Sequence, residues 1–359
     1  NRPQLLIADE PTSSLDACVQ AEILKLLERL QKAFSLSMLF ITHNMAAARF
    51  LAHRVYVLQH GRIAESGDIA AVFAHPREAY TAELIRAKEN LAALEPVACE
   101  AQNNASPVGE LSNVSYAYPA AGFCRRAQPT LKDISLRIYP GETLGILGES
   151  GSGKSTIAKL MAGFWDATGG TVSFGGQDIQ NIPFDQFMGE ISYVAQDNFL
   201  FDRSIRENIR MGDPSATDAE VEAAARAANC HDFIMNLEQG YDTLAGDAGD
   251  RLSGGERQRI TIARAMLKKA SVIILDEATA FADPESEAQI QQAISRLVRG
   301  KTLIVVAHRL NTIQNADQIL VIDQGRLAAC GRQEELLNTC PLYRTMWEQY
   351  QSTAAFAGK

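Results

Sequence analysis

Residues 148–156 read GESGSGKST, which has the form GxxxxGK[ST] of a phosphate-binding loop. Gly148, Gly151 and Gly153 permit backbone with positive φ, which can direct several amide N–H groups at phosphate oxygens. TLGILG before the loop predicts a buried strand, and KSTIAKLMAG after it predicts a helix that ends at Gly163. Strand, loop and helix in this order are the context that the motif requires.

The side chains of this loop predict ATP and Mg²⁺ as cofactors. Lys154 is placed to reach the β- and γ-phosphates, and Ser150 belongs to the same phosphate-binding set. The hydroxyl of Ser155 is placed to bind Mg²⁺, while Thr156 is expected near the α-phosphate at the helix N-terminus. The alternative interpretation is a glycine-rich turn between a strand and a helix, with a surface lysine.

A second apolar run, VIILD at 272–276, predicts a central parallel strand that is covered on both faces. Its last residue emerges at the carboxyl edge of the sheet, where ligands bind in such folds. Asp276 is therefore placed to hold Mg²⁺, directly or through water, and Glu277 to activate the attacking water as general base. The alternative is that these two acids merely cap the next helix.

The stretch LSGGERQ at 252–258 lies between these two motifs. Ser253, Gly254 and Gly255 open a predicted helix, ERQRITIARAML, whose positive N-terminal end favours an anion. An ordinary N-capped helix without a ligand is the alternative.

With these three motifs, residues 109–359 resemble the nucleotide-binding domain of an ABC transporter from end to end. The resemblance implies an α/β fold of the P-loop NTPase class and ABC type. Its mixed sheet is flanked by helices, with a β-rich wing, a helical subdomain and a partial copy of the same fold in front. The apolar spacing of residues 217–240 itself predicts an amphipathic helix, which places this subdomain between Gln196 and the LSGG helix. It also implies that two such domains pack head to tail, so that LSGGE of one closes over the γ-phosphate held by the other.

The resemblance assigns roles to three further residues. Gln196 in SYVAQD corresponds to the glutamine that links Mg²⁺ and water to the transmembrane partner, His308 in VVAHRL to the histidine that contacts the γ-phosphate, and Tyr118 to the aromatic residue that stacks on adenine. A solvated glutamine, a structural histidine and an edge-strand tyrosine are the alternatives. Asp283 in TAFADPE lies in the loop that crosses to the opposite site, although Ala280–Ala282 depart from the usual Ser-Ala-Leu, and this stretch resembles exporter-folded siderophore uptake systems.

The first residues of the chain repeat the second half of this pattern. LLIADEPTSSLD at 5–16 contains Asp9, Glu10 and Asp16, and LFITHNM contains His43. RVYVLQHGRIAESGD then parallels QILVIDQGRLAACGR further along. Repetition of this kind indicates a tandem of two ATPase domains. If a preceding half exists, we expect Glu10 and His43 to serve a first ATP site that LSGGE at 252–256 completes, whereas a complete small domain at 1–90 is the alternative.

The repeat predicts three segments: a partial ABC ATPase domain at 1–87, a linker at 88–108 and a complete ABC ATPase domain at 109–359. The two copies resemble different branches of the family. Residues 67–85 are similar to the tail of oligopeptide, dipeptide and nickel importer ATPases, and residues 192–209 to exporter-fold ATPases. Neither the transported substrate nor the direction of transport follows from these features.

The resemblance implies an ATP-hydrolysing motor subunit on the cytoplasmic side, peripheral on the inner face of the cell membrane. Its expected partners are transmembrane permease subunits on a separate chain and a second ABC ATPase domain, supplied by a homodimer or by an upstream half. Two alternatives stay open at this point: a soluble ABC ATPase that acts on ribosomes or DNA, and an inactive truncated fragment.

Composition excludes several other classes of protein. A net charge of −9 argues against a nucleic-acid surface, so no nucleic-acid partner is expected. No run approaches the eighteen apolar residues of a membrane span. The six cysteines show no paired spacing for zinc or redox chemistry, and the histidines outside the motifs form no ligand cluster in the sequence.

Overall fold

The computed structural model describes residues 5–12, 17–34, 36–42, 45–59, 61–82, 85, 106–119, 129–276, 284–307 and 310–358. The chain divides into two compact units. The first unit comprises Asn1–Ala92, Ala280–Ala288 and Pro341–Lys359, and the second comprises Ala93–Thr279 and Gln289–Cys340.

The strands, numbered along the chain, are β1 Leu5–Asp9, β2 Ser37–Ile41, β3 Arg54–Gln59, β4 Arg62–Asp68, β5 Gly109–Ala117, β6 Pro129–Ile138, β7 Thr143–Gly148, β8 Gly169–Phe174, β9 Gln177–Asp178, β10 Ile191–Val194, β11 Val272–Asp276, β12 Thr302–Val306, β13 Gln318–Asp323 and β14 Arg326–Gly331. The α-helices are α1 Ala17–Phe34, α2 Met45–Leu51, α3 Ile69–Ala74, α4 Lys154–Met161, α5 Phe184–Glu190, α6 Ile205–Arg210, α7 Asp218–Ala227, α8 His231–Met235, α9 Gly254–Leu267, α10 Pro284–Val298, α11 Gln333–Thr339 and α12 Pro341–Gly358.

The second unit is built on a six-stranded sheet in the order β10-β11-β12-β7-β13-β14. The first five of these strands are parallel to their neighbours, and β14 is antiparallel to β13. Every residue of β11 and β12 is buried, as the continuous apolar runs predict for strands that are covered on both faces. The phosphate-loop strand β7 lies in the interior of this sheet, between β12 and β13.

A four-stranded antiparallel sheet in the order β6-β5-β8-β9 forms the predicted β-rich wing. Its apolar side chains join helix α4 and the parallel sheet in one core, to which Val114, Leu131, Ile157, Ile274 and Ile304 belong. Helix α4 therefore packs on both sheets, and this fixes the direction of the loop that precedes it.

Helices α6 to α9 form the predicted helical subdomain, with one correction. The sequence predicts one amphipathic helix over 217–240, whereas the structure has α7, which ends at Ala227, and the short α8, which begins at His231. Asn229 between them has a φ of 55°. This left-handed conformation cannot continue a right-handed helix, and asparagine tolerates it better than most residues.

The first unit contains a parallel pair, β1 and β2, and an antiparallel hairpin, β3 and β4. Helices α1, α2 and α12 pack against one another, and Phe40 of β2 joins a small core with Leu24, Ala47 and Leu51.

The pairing of these strands matches that of their counterparts in the second unit. β1 and β2 pair from Leu5 with Ser37 to Asp9 with Ile41, as β11 and β12 pair from Val272 with Thr302 to Asp276 with Val306. The hairpin register shifts between Val57 and Leu58 in the first unit, and between Val321 and Ile322 in the second.

Candidate nucleotide-binding site

Neighbouring strands pack closely against the loop at 148–156. Gly151 and Gly153 have φ values of 81° and 106°, which the glycines of the motif allow. A Cβ at Gly148 would lie 2.3 Å from the carbonyl oxygen of Ile322, and a Cβ at Gly153 would lie 2.5 Å from Leu131. Helix α4 begins without a side-chain cap, so its first N–H groups stay available to an anion.

Lys154 folds back onto the loop that it follows. Its ammonium donates to the carbonyl oxygens of Gly148, at 2.7 Å, and Glu149, at 2.9 Å, and the residue is only 5% exposed. The positive charge is thus held at the loop, where a triphosphate would meet it.

The loop and the end of β11 meet through hydrogen bonds to one buried carboxylate. The hydroxyl of Ser155 donates to Oδ1 of Asp276 at 3.1 Å, and the hydroxyl of Tyr193 donates to Oδ2 at 2.6 Å. Asp276 is 4% exposed, so both oxygens are held in a low-dielectric setting. The structure therefore brings together Ser155 and Asp276, two of the three residues that the sequence predicts at the Mg²⁺ site.

Ser253 caps helix α9 through a reciprocal pair of hydrogen bonds. Its backbone N–H donates to Oε2 of Glu256 at 2.8 Å, and its Oγ accepts from the Glu256 N–H at 3.3 Å. Among the hydrogen bonds of the described residues, none joins Ser253, Gly254 or Gly255 to the loop at 148–156.

Tyr118 stands beside the loop in an aromatic cluster. Its hydroxyl lies 3.3 Å from Oγ1 of Thr156, and its ring meets those of Tyr116 and Trp165 edge to face. Trp165 stacks on Tyr116, and Nζ of Lys159 lies 4.7 Å above the indole ring. Burial raises the pKa of Tyr116, with a smaller contribution from Tyr118.

Gln196 lies exposed in the turn that follows β10. Nδ2 of Asn198 donates to the Gln196 carbonyl at 3.3 Å, and Oδ1 of Asn198 accepts from Thr261 on helix α9 at 3.2 Å. One buried asparagine therefore connects the Gln196 turn to the helix that Ser253 opens.

Known proteins match the part of the chain that contains this site. Residues 131–280 match a family model described as ABC transporter. These residues belong to an ABC transporter ATP-binding domain. The predicted ABC-type fold is thus confirmed, and we refer to this domain below as the ABC domain.

Similar proteins include the mycobactin import ATP-binding/permease protein IrtA of Mycolicibacterium smegmatis, at 46% identity over 70% of this chain and 29% of that protein. An ATP-dependent lipid A-core flippase of Syntrophus aciditrophicus is 45% identical over 64% of this chain and 37% of that protein. A solved bacterial Atm1-family ABC exporter with ATP bound matches with a TM-score of 0.61 and 37% identity, over 75% of this chain and 46% of that one. The chain thus spans less than half of each of these proteins.

The buried side-chain amide of Asn208 connects two segments of the helical subdomain. Asn208 is fully buried; its Nδ2 donates to the Phe201 carbonyl and its Oδ1 accepts from the Phe201 N–H, both at 2.9 Å. Nε of Arg264 donates to the Asn208 carbonyl at 2.8 Å. Burial lowers the pKa of Arg264, and these bonds tie the segment after the Gln196 turn to helix α9.

Two contacts of the ABC domain have no counterpart in the sequence prediction: the Tyr193–Asp276 bond and the stacked Trp165. In the sequence, Tyr193 lies near the end of a predicted strand that precedes Gln196, which is the one feature that could have pointed to it. The pairing of β10 with β11 is what brings its hydroxyl within reach of Asp276. Trp165 follows the loop helix closely, and its sequence context carries no comparable signal.

Several predicted site residues lie outside the described residues. These are Glu277, Asp283 and His308, together with Asp16 and His43 of the first copy. Of the remaining pair, Asp9 ends β1, and Glu10 has a φ of 47° with its N–H donating to the Ile41 carbonyl at 2.9 Å.

The donor set fits Mg²⁺ bound together with a nucleotide. A hydroxyl, a carboxylate and an amide oxygen, from Ser155, Asp276 and Gln196, are oxygen ligands of the kind that Mg²⁺ prefers alongside substrate phosphates and water. Within the described part of the chain, no group of three or more His, Cys, Asp or Glu side chains could hold a metal ion by itself. No helix among these described residues is both long enough and apolar enough to cross a membrane.

Proposed function

We propose that the ABC domain is the ATP-binding and ATP-hydrolysing motor of a membrane transporter, at the inner face of the cell membrane. The observation that carries this proposal is the hydrogen bond between Ser155 and Asp276. This bond joins the hydroxyl of the phosphate loop to the carboxylate at the strand end, and both groups would be ligands of a metal bound together with the nucleotide.

Binding begins with the loop. Its amides and the N-terminus of helix α4 receive the phosphates, and the ammonium of Lys154 exchanges the carbonyls of Gly148 and Glu149 for phosphate oxygens. Tyr118 then stacks on the adenine, which its position beside Thr156 favours.

Ser155, Asp276 and Gln196 hold the metal in this proposal. When bound, Mg²⁺ neutralises charge on the triphosphate and orients it for in-line attack. Tyr193 is a positioning residue, because its hydrogen bond to Oδ2 leaves Oδ1 of Asp276 directed at Ser155.

Hydrolysis requires a base and a stabiliser of the γ-phosphate. Glu277 follows Asp276 directly and takes a proton from the attacking water, whose oxygen bonds to the γ-phosphorus while the bond to the β–γ bridging oxygen breaks. His308 donates a hydrogen bond to the γ-phosphate. Both roles remain predictions that rest on the resemblance.

A second ABC domain completes the site, by homodimerisation or from an upstream half. The cap of helix α9 supports this, because Ser253 uses its Oγ as an acceptor and keeps its hydroxyl hydrogen for a phosphate of the opposite domain. We propose that the transmembrane permease driven by this ATPase is a separate chain. The name of the mycobactin import protein, by contrast, combines ATP-binding and permease functions.

The decisive experiment measures phosphate release per molecule at increasing protein concentration. We expect the rate per molecule to rise, because hydrolysis needs a second domain, whereas ATP binding by the monomer stays constant. A rate that is independent of concentration would contradict the dimer requirement.

Two variants separate binding from chemistry in the same assay. Lys154→Ala should weaken ATP binding itself, whereas Glu277→Gln should retain binding and trap an ATP-bound dimer without turnover. Lys269→Ala, at an exposed lysine of the same domain, is the matched control for Lys154→Ala. If both site variants hydrolyse ATP like the parent, the site assignment is wrong.

A further inference from the structure

The residue proposed to stack on adenine stands where no regular secondary structure holds its backbone. Tyr118 follows Ala117, the last residue of β5, and is 44% exposed. The orientation of an exposed ring in such a position is set by the side chains that it contacts. These contacts therefore decide whether the ring is ready to receive a base.

Tyr118 stands nearly perpendicular to a stacked pair of rings, Tyr116 and Trp165. The centroids of the stacked pair are 5.4 Å apart, with an angle of 6° between the ring planes. The centroid of Tyr118 lies 5.2 Å from that of Tyr116 and 5.3 Å from that of Trp165, at interplanar angles of 84° and 78°. Such contacts are favourable, because the positive edge of one ring meets the negative face of another. The pair therefore favours one orientation of the Tyr118 ring.

The two members of this pair are held in different ways. Tyr116 belongs to β5 and to the main core of the ABC domain, and it is 8% exposed. Trp165 is half-buried and packs against this core without belonging to its buried set. Trp165 is thus the ring whose removal can release Tyr118 while the core stays closed.

A Schellman motif at the end of α4 fixes where the chain leaves the helix toward Trp165. The N–H of Phe164 donates to the Lys159 carbonyl at 3.0 Å, and the N–H of Gly163 donates to the Leu160 carbonyl at 3.1 Å. Gly163 has a φ of 68°, which is the left-handed conformation that this motif uses. The chain therefore turns at a defined residue, two positions before Trp165.

Helix α4 contacts the aromatic group at two points on one side. Oγ1 of Thr156 lies 3.3 Å from the Tyr118 hydroxyl, and Nζ of Lys159 lies 4.7 Å from the centroid of the Trp165 ring. Thr156 and Lys159 are three residues apart, so they are neighbours on the helix surface. A cation at this distance is attracted to the face of an indole. The helix that follows the phosphate loop therefore also holds the rings that would meet the base.

We propose that Trp165 is a positioning residue for recognition of the nucleobase, because it holds Tyr118 in the orientation in which a base stacks on it. This inference rests on the proposed function, in which Tyr118 stacks on adenine. With Trp165 in place, the Tyr118 side chain is ordered before the nucleotide arrives, so binding does not have to order it. Removal of Trp165 weakens binding of ligands that carry a base and leaves binding of the phosphates unchanged.

The test compares two ligands that share a triphosphate but differ in the presence of a base. Calorimetric titration of the full chain with ATP and with inorganic triphosphate, both with Mg²⁺, measures the two dissociation constants. Trp165→Ala should weaken ATP binding by about three- to tenfold, as expected for the loss of one edge-to-face contact. Binding of inorganic triphosphate should stay within about twofold of the parent.

Three further variants control for the ring and for the fold. Trp165→Phe keeps a ring and should recover most of the ATP affinity. Trp165→Leu fills more of the space than alanine but has no ring, so it should bind ATP as weakly as Trp165→Ala. Phe184→Ala, at a phenylalanine that is 67% exposed, is the matched control and should bind both ligands like the parent.

A double-mutant cycle shows whether Trp165 acts through Tyr118. In a Tyr118→Ala background, Trp165→Ala should have no further effect on ATP affinity. Three results would overturn the inference: unchanged ATP binding by Trp165→Ala and Trp165→Leu, equal weakening of ATP and inorganic triphosphate, or a full effect that persists without Tyr118. A parent chain that binds neither ligand would refute the proposed function together with this inference, whereas ATP binding that is indifferent to Trp165 would refute the inference alone.

Discussion

Replacing Gly325 by alanine tests whether the hairpin turn holds the phosphate loop in place. The φ of Gly325 is 78°, and alanine in this left-handed conformation costs about 1–2 kcal/mol. The added Cβ would lie 2.1 Å from the carbonyl oxygen of Thr130, so the turn must move by more than an ångström to reach an ordinary contact of 3.4 Å.

That displacement would break hydrogen bonds on both sides of the turn. Gly325 donates to Ser152 at 3.1 Å and accepts from the Lys132 N–H at 2.8 Å. Each bond contributes about 0.5–1.5 kcal/mol, so the variant should lose roughly 1–3 kcal/mol beyond the conformational cost. Because Ser152 lies inside the phosphate loop, we expect ATP affinity to fall by about tenfold or more.

Gly61→Ala is the matched control, since Gly61 has a φ of 74° in the equivalent turn and nothing within 4 Å of its Cβ position. It should show the conformational cost alone and bind ATP like the parent. Titration with a fluorescent ATP analogue measures the affinity of both variants. The reasoning is refuted if Gly325→Ala binds like the parent, or if Gly61→Ala weakens binding to the same extent.

Three further predictions concern the ABC domain. Tyr193→Phe should lower the free energy of unfolding in urea by about 1–3 kcal/mol, because the buried carboxylate of Asp276 loses a hydrogen-bond donor. The control Tyr139→Phe, at an exposed tyrosine, should unfold like the parent. If the two variants are equally stable, Tyr193 does not have this role. Asn208→Ala should cost about 2–4 kcal/mol, since it leaves the Phe201 N–H and several carbonyls without partners; a smaller effect than that of Tyr193→Phe would contradict this ranking. Removal of Mg²⁺ with EDTA should abolish phosphate release while leaving measurable ATP binding through Lys154, and turnover that continues without the metal would disprove its role.

The sequence predicted those parts of the site that lie close together along the chain. The strand, loop and helix from Thr143 to Met161 follow from contiguous residues whose glycines and apolar periodicity act locally. The carboxylate at Asp276 followed from the rule that parallel strands present their carboxyl ends at one edge.

Contacts between residues that are distant along the chain could not be predicted from local sequence patterns. Tyr193 and Asp276 are 83 positions apart, and their bond depends on β10 lying directly beside β11, which no local pattern specifies. The break at Asn229 was missed for a related reason: the apolar spacing is helical on both sides of it, while the left-handed residue is stabilised by tertiary contacts, including the bond from Arg259 to its carbonyl.

The capping box at Ser253 has a consequence for how a second domain would associate. The side chains of Ser253 and Glu256 are already engaged within the single chain, because each accepts a hydrogen bond from the other's backbone. A phosphate of a second domain that binds at this helix end would not have to order the serine side chain. The loss of side-chain entropy at Ser253 therefore occurs during folding and does not oppose association. Substituting Glu256 would therefore slow assembly through lost preorganisation, even though its carboxylate repels the same anion.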